Sequence, residues 1–449
     1  MIGKNHTEGS IMRAIIGFSL PYLLAYFLQL LYGLADLFIV GQFYKDSVST
    51  ITAVALGSQV MHFVTVIVVG LAMGTTVSVA QAVGARNDHQ TSTIIGNTIT
   101  LFLALSILLA TVLYLSVDGI VSIIATPFES IDETSDYLKI CFLGIPAIVG
   151  YNIMASIFRG LGDSRTPMYF VAIACLINIA ADYYFIGALH YGAIGAAMAT
   201  VLAQACSVAL SVLYVVVRKV NIHITRRQLH PQKDTMKRLF QIGLPVALQD
   251  GFIQVAFMII TVIANLRGLN DAAAVGIVEK IICFLFLVPS AMLSTVSALS
   301  AQNLGAGKIE RARHTLHIAI GIAALFGVVA STLIEFYDTE VMTLFTSDQE
   351  VITLGAEYLD GYVWDTVFAG IHFCFSGYFC ACNLSTLSFI HNMVSISIFR
   401  VPLAYLASIN FPKTLFPMGL ATVSGSVVSV FICLYFYYFY IPKKMKEKQ

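Results

Sequence analysis

Charge is what this chain has least of. Asp, Glu, Lys and Arg together make 11% of its 449 residues, where a soluble domain carries about 25%. Basic residues this sparse leave no nucleic-acid surface to read. The absence of GxSxG, HExxH or Walker spacing, and glycines that follow no strand, leave out the common catalytic and nucleotide-binding motifs, so neither an enzyme nor transport powered directly by ATP is expected. Paired cysteines in polar loops are also missing. All eight (Cys141, Cys175, Cys206, Cys283, Cys374, Cys380, Cys382, Cys433) fall in or at the ends of apolar runs, which argues against a disulfide framework and for small packing residues. A cleavable signal is not expected, because the first apolar run, from about Ala14 to Val40, is longer than a signal core.

What the chain has instead is apolar length. The hydrophobic set reaches 58%, too much for a soluble fold to hide, so lipid must solvate most of it. Runs of about 20 residues recur at 14–39, 54–80, 93–116, 135–158, 166–187, 192–217, 237–264, 272–300, 314–336, 356–380, 386–408 and 416–441. Backbone groups in lipid must be satisfied within each segment, and no period-2 pattern is present, so these are helices. The expected fold is an all-α polytopic membrane protein of twelve spans. Lys and Arg segregate to the N-terminus, alternate loops, the stretch 218–238 and the Lys443–Lys448 tail. The long opposite loops carry Asp118, Glu129, Asp132, Glu133 and Asp338, Glu340, Asp348, Glu350, which places both termini in the cytoplasm of an inner-membrane protein.

The sequence repeats. Ala80-Gln81-Ala82-Val83-Gly84-Ala85 returns as Ala301-Gln302-Asn303-Leu304-Gly305-Ala306, 221 positions later; Tyr137-Leu138 matches Tyr358-Leu359, and Leu20-Pro21 corresponds to Leu244-Pro245. Six spans per repeat give two bundles of one orientation with a site expected at their interface. The domains are then 1–217, a basic linker 218–236, 237–441 and a basic tail 442–449.

Ionisable residues inside a span cost about 2.5–3.5 kcal/mol at its centre. The first span carries Gln29, Tyr32 and Asp36 on one face, the fifth Asn178 and Asp182 on one face, and the sixth Thr200. Counting from the span ends puts Asp36, Asp182 and Thr200 at one depth, where two carboxylates, an amide and a hydroxyl suit Na⁺ or a shared proton. The bland reading is hydrated helix ends. At the repeat-equivalent positions stand the apolar Ile260 and Leu403, so the fold itself does not demand acids there. The second half carries Gln249, Asp250, Gln254, Glu279, Lys280, Asp365 and Arg400, which read equally as structural ion pairs or as substrate contacts; a buried Arg400 should pair with Glu279 or Asp365. His372 and His391 read as core or interfacial residues, and Gly70-x-x-x-Gly74 as close helix packing.

Taken in order, Pro21 with Asp36 fifteen residues on, the Gln81/Gln302 turns and Arg159-Gly-Leu-Gly-Asp163-Ser-Arg165-Thr-Pro167 resemble the multidrug and toxic compound extrusion (MATE) family over nearly the whole chain. The resemblance implies two bundles in a V around a central cavity. It also implies a monomeric secondary antiporter, without a cofactor, that exports cationic or amphipathic drug-like compounds or metabolites for Na⁺ or H⁺. By position it assigns Asp36, Asn178, Asp182 and Thr200 to a cation site, with Tyr137 as a fifth member, and makes Pro21 a hinge that bends on protonation. Ile253 stands where some relatives have an acid in their seventh helix, which argues against a second cation site despite Asp365. The alternatives are a lipid-linked precursor flippase, which usually has fourteen helices and a basic cavity, and a membrane transferase, which needs clustered catalytic groups.

Overall fold

The computed structural model describes residues 3–45, 47–217 and 225–446, and these contain helices and turns with no β-strand. Arg218, Lys219 and the last lysine of the tail, Lys448, lie outside the described residues. In chain order the long helices are α1 (Ile11–Phe43), α2 (Val48–Gly84), α3 (Asp88–Leu115), α4 (Phe128–Leu143 and Ile145–Gly160), α5 (Arg165–Ala188), α6 (Gly192–Val217), α7 (Lys233–Arg267), α8 (Leu269–Gly305), α9 (Ile309–Phe336), α10 (Gln349–Tyr362 and Asp365–Ala381), α11 (Ser385–Asn410) and α12 (Phe416–Lys444). Ten of them are long and apolar enough to cross a membrane, and α4, bent by 49° at Gly144, makes an eleventh. The span expected at 356–380 is helical but interrupted, as two helices broken at Val363–Trp364.

The described residues form two compact units. One takes them from Met1–His6 and Leu20–Ala247, the other from Thr7–Ser19 and Leu248–Gln449. The chain therefore passes between units inside α1 and inside α7. Both crossings fall next to a proline, Pro21 and Pro245, each within its helix. A proline frees the carbonyl one turn before it and clashes with it, so a long helix changes direction most easily there.

In the first unit the core runs through Ile39, Val40, Val54, Val79, Leu138, Phe142, Ile145 and Ala196. Gly74 shows why small residues recur: a Cβ there would lie 2.2 Å from the Leu239 carbonyl oxygen, and one at Gly243 would lie 2.2 Å from that of Leu71. Two backbones touch where α2 meets the start of α7. Residues 225–232 of the linker are strapped to α3. Fully buried Asn97 donates to the Gln228 carbonyl (3.1 Å) and accepts from the Gln232 amide (2.6 Å), and Thr100 donates to the Leu229 carbonyl (2.7 Å).

The turn between α4 and α5 is built around Gly162 (φ +82°) and Asp163. The Asp163 carboxylate accepts from the Arg165 amide (3.1 Å) and the Thr166 hydroxyl (2.7 Å), capping α5, and pairs with Lys4 at 3.1 Å. The Arg-Gly-Leu-Gly-Asp sequence is thus a helix stop and start. Burial pushes the Asp163 carboxyl up, but the bonds from Thr166 and the Lys4 charge outweigh it and leave it below the usual carboxylate range. In the second unit Ile15 and Phe18 of α1 join Val296, Leu316, Phe375, Tyr378 and Cys433 in one core, and Ile260, Val275, Tyr358, Leu359, Tyr362 and Met418 in another. None of the eight cysteines forms a disulfide.

Candidate ion-coupling site

Each acid of the first unit sits where its helix changes character. Asp36 lies in the last two turns of α1 and is 2% exposed. Asp182 is the last α-helical residue of α5 before a π-helical turn, Tyr183–Ala188, whose wider winding closes with the Leu189 amide on the Tyr184 carbonyl. Asn178, one turn earlier on the same face, and Asp182 are both fully buried.

The Thr200 hydroxyl of α6 donates to Asp36 Oδ2 at 3.2 Å. Asp182 and Asn178 lie against the same carboxylate. Yet Asp36 Oδ1, both Asp182 oxygens and both polar atoms of Asn178 have no hydrogen-bond partner of ordinary geometry. Oxygen atoms of Asp36, Asp182, Asn178 and Thr200 are therefore gathered in one place, the two acids and the amide buried and most of their lone pairs unused by the protein. Two ionised carboxylates cannot stay so without a positive charge, because the cost is several kcal/mol per ion. A hard monovalent cation fits an all-oxygen set, and so does one proton held by the pair.

Tyr137 of α4 is 2% exposed, and its hydroxyl is within hydrogen-bond distance of Ser58 Oγ (3.1 Å). Its ring fills the space a side chain at Gly57 would need, since a Cβ there would come within 2.3 Å of Cδ1. It lies near enough to Asp36 to feel its charge. Tyr32 accepts a hydrogen bond from Gln204 Nε2 at 3.2 Å, and Gln29 lines a cavity of about 20 Å³ with Tyr22, Tyr151, Asn152 and Arg159. Such a volume holds about one water. Ser58 and Gln204 escaped the sequence reading, although Gln204 lies one helical turn from Thr200 and could have been found by that spacing.

The acids of the second unit have a different environment. Arg400, 8% exposed on α11, places Nη1 3.6 Å from Asp365 Oδ2, donates through Nη2 to the Tyr362 hydroxyl, and lies over the rings of Phe257 (5.3 Å) and Tyr362 (5.4 Å). Glu279 accepts from the Thr261 hydroxyl at 3.1 Å and is close enough to feel Arg400. Of the two partners expected for Arg400, Asp365 forms the ion pair. Lys280 is exposed and joins no ion pair among the described residues. Gln249 accepts from Ser388 and approaches Asp250 at 3.5 Å; Gln254 is half-buried. His391 bonds Ser376 (2.9 Å) and Ser429 (3.1 Å), with the His372 ring 5.6 Å away, as core histidines do. Tyr362 and Phe257 carried no signal in the sequence, because nothing in their spacing separates them from other core aromatics.

Described residues that are helical throughout and hold ten or eleven membrane-length apolar spans define a polytopic membrane protein. The profile of the MatE family matches residues 21–184 and 245–406, and the chain belongs to that family. It is 24% identical over 377 residues to the probable multidrug resistance protein YoeA of Bacillus subtilis (strain 168), covering 82% of this chain and 81% of that one. It is 25% identical over 372 residues, with the same shares, to the multidrug export protein MepA of Staphylococcus haemolyticus (strain JCSC1435). Its fold matches a MATE transporter crystallised with MaL6 at a TM-score of 0.91 and 22% identity, over 99% of this chain and 98% of the other. It also matches a MOP superfamily transporter from Pyrococcus furiosus at 0.89 and 22%, over 96% of each.

Proposed function

We propose that this transporter exports cationic or amphipathic drug-like compounds or metabolites, driven by inward movement of Na⁺ or H⁺ through the first unit. The observation that carries the reading is the Asp36–Asp182 pair, buried beside Asn178 and half-buried Thr200 and left without a protein cation. Export against a gradient needs a source of energy. One charge moving down 100 mV supplies about 2.3 kcal/mol, enough for roughly a fiftyfold gradient. Binding of the ion must favour one conformation over the other, since equal affinity shifts nothing. Pro21, where α1 passes between the units, is the hinge this coupling would use.

The protein acts as a monomer in the cell membrane, with both termini cytoplasmic, as the basic and acidic loop segregation supports. The flippase alternative needs free positive charge in its cavity, and Arg400 is already neutralised by Asp365. The test is efflux of ethidium from vesicles reconstituted with the purified protein, under a Na⁺ gradient alone and then a H⁺ gradient alone. One of the two gradients should suffice. Equal efflux with neither overturns ion coupling.

A further inference from the structure

A cleft of about 370 Å³ opens in the first unit where the α2–α3 turn meets the start of α7. Its size falls in the ~300–1,000 Å³ range of small-molecule sites. The N-terminus of the 28-residue helix α3 borders it through Asn87, whose side chain caps the Gln90 amide at 2.9 Å, and through His89. Arg238, half-buried on α7, comes in from the other wall, with one guanidinium nitrogen donating to Gln81. Ser78, 1% exposed, and Thr93, 7% exposed, line the floor, and neither hydroxyl has a hydrogen-bond partner.

Unused buried hydroxyls are costly, and a hydroxyl turns its proton to suit whatever enters. Helix N-terminus, guanidinium and hydroxyls together are a donor set, which selects an oxyanion. Asp234 on the exposed rim and Asp88 in the first turn of α3 oppose an incoming anion, so its binding must rest on Arg238 and the two buried hydroxyls.

The repeat supplies an internal control. In the second unit Lys308 and Arg311 occupy the positions of Asn87 and Gln90, 221 residues on. There the cations are already engaged by main chain: Lys308 Nζ donates to the Thr7 carbonyl (2.9 Å), and Arg311 donates to those of Glu8 (3.0 Å) and Gly9 (2.9 Å). The corresponding turn of the first unit has smaller neutral residues and an open cleft. The same turn thus carries main-chain-bound cations in one half and neutral residues beside a cleft in the other.

We propose that this cleft binds one phosphate monoester or diester, held by Arg238, Thr93, Ser78 and the start of α3. Its place at the end of three membrane helices offers two sources of that chemistry, a phospholipid headgroup and a soluble phosphate. Full-length protein in detergent is to be titrated with phosphatidylglycerol, with inorganic phosphate, and with phosphate-free diglucosyl diacylglycerol, and bound species counted by native mass spectrometry. One phosphatidylglycerol should bind in preference to the glycolipid. If inorganic phosphate displaces it, the site takes soluble phosphates too; if not, it is a lipid headgroup site. Arg238→Gln should weaken binding about tenfold and Thr93→Val about fivefold, one hydrogen bond each of charged and neutral kind. Ser78→Ala and Thr93→Val hardly change volume, so an unaltered melting temperature without ligand keeps the result interpretable. Equal binding of the glycolipid, or unchanged phosphatidylglycerol binding by both Arg238→Gln and Thr93→Val, overturns the proposal.

Discussion

The two halves bury carboxylates in opposite ways. In the first, Asp36 and Asp182 are buried together beside an amide and a hydroxyl, and no Lys or Arg pairs with them among the described residues. In the second, Asp365 faces Arg400, tethered between Tyr362 and Phe257. A tethered guanidinium cannot leave, so its charge is part of the fold. A buried acid pair with no protein cation beside it suits reversible binding of one from solution, as the proposed coupling requires. The repeat makes the comparison controlled, because the positions of Asp36 and Asp182 are apolar in the second half, at Ile260 and Leu403.

The largest effect that would break this comparison concerns stability. Asp365→Asn leaves Arg400 buried without its partner and should cost about 3–5 kcal/mol. The Asp365→Asn, Arg400→Met double variant should recover a good part of it. Asp36→Asn, by contrast, removes an uncompensated charge and should leave the melting temperature in detergent unchanged or higher. Equal destabilisation by Asp365→Asn and Asp36→Asn would erase the distinction between a structural and a mobile counter-charge.

A smaller effect sharpens the first half. Thr200→Ala and Asn178→Ala each remove one ligand oxygen and should raise the half-saturating Na⁺ concentration roughly tenfold if Na⁺ is the ion, about 1.4 kcal/mol, with little change in maximal rate. A pure loss of maximal rate would place them outside the ion's shell. Smaller again is Gly57→Ala. Its Cβ would displace the Tyr137 ring, and efflux should fall several-fold while the second half is untouched. Normal efflux in Gly57→Ala would remove Tyr137 from the site.

The smallest effect is a pH dependence outside the membrane. The Asp163 carboxyl is held below its ordinary value by Thr166 and Lys4. The folded group has the lower pKa, so its contribution is present above the unfolded value and fades as pH falls through the folded one. Proteolysis of the N-terminal residues should rise on acidification below about pH 4. Asp163→Asn should show the raised rate at every pH.

Much of this was legible in the residues. Apolar runs of lipid-spanning length gave the helices, and helical spacing with depth counting brought Asp36, Asn178, Asp182 and Thr200 to one level. Counting depth says nothing about azimuth, however. That is why Lys280, next to Glu279 in the same span, lies exposed, and why spacing alone left Arg400 with two candidate partners. The π-helical turn after Asp182 and the break in α10 depend on local winding that hydropathy does not record. The passage of α1 and α7 between units was hidden for the same reason: each reads as one unbroken apolar run, and only the prolines hinted at a change.

The most direct test separates coupling from transport in one preparation. Wild type and the Asp36→Asn, Asp182→Asn double variant are reconstituted at equal level. Ethidium movement is followed twice, as exchange at equal ion concentration on both sides and as uphill efflux under an ion gradient. The account predicts that the double variant keeps exchange and loses uphill efflux, with each single variant nearly as impaired as the double. Full uphill efflux by the double variant would contradict it and move the coupling site to Asp365 and Glu279.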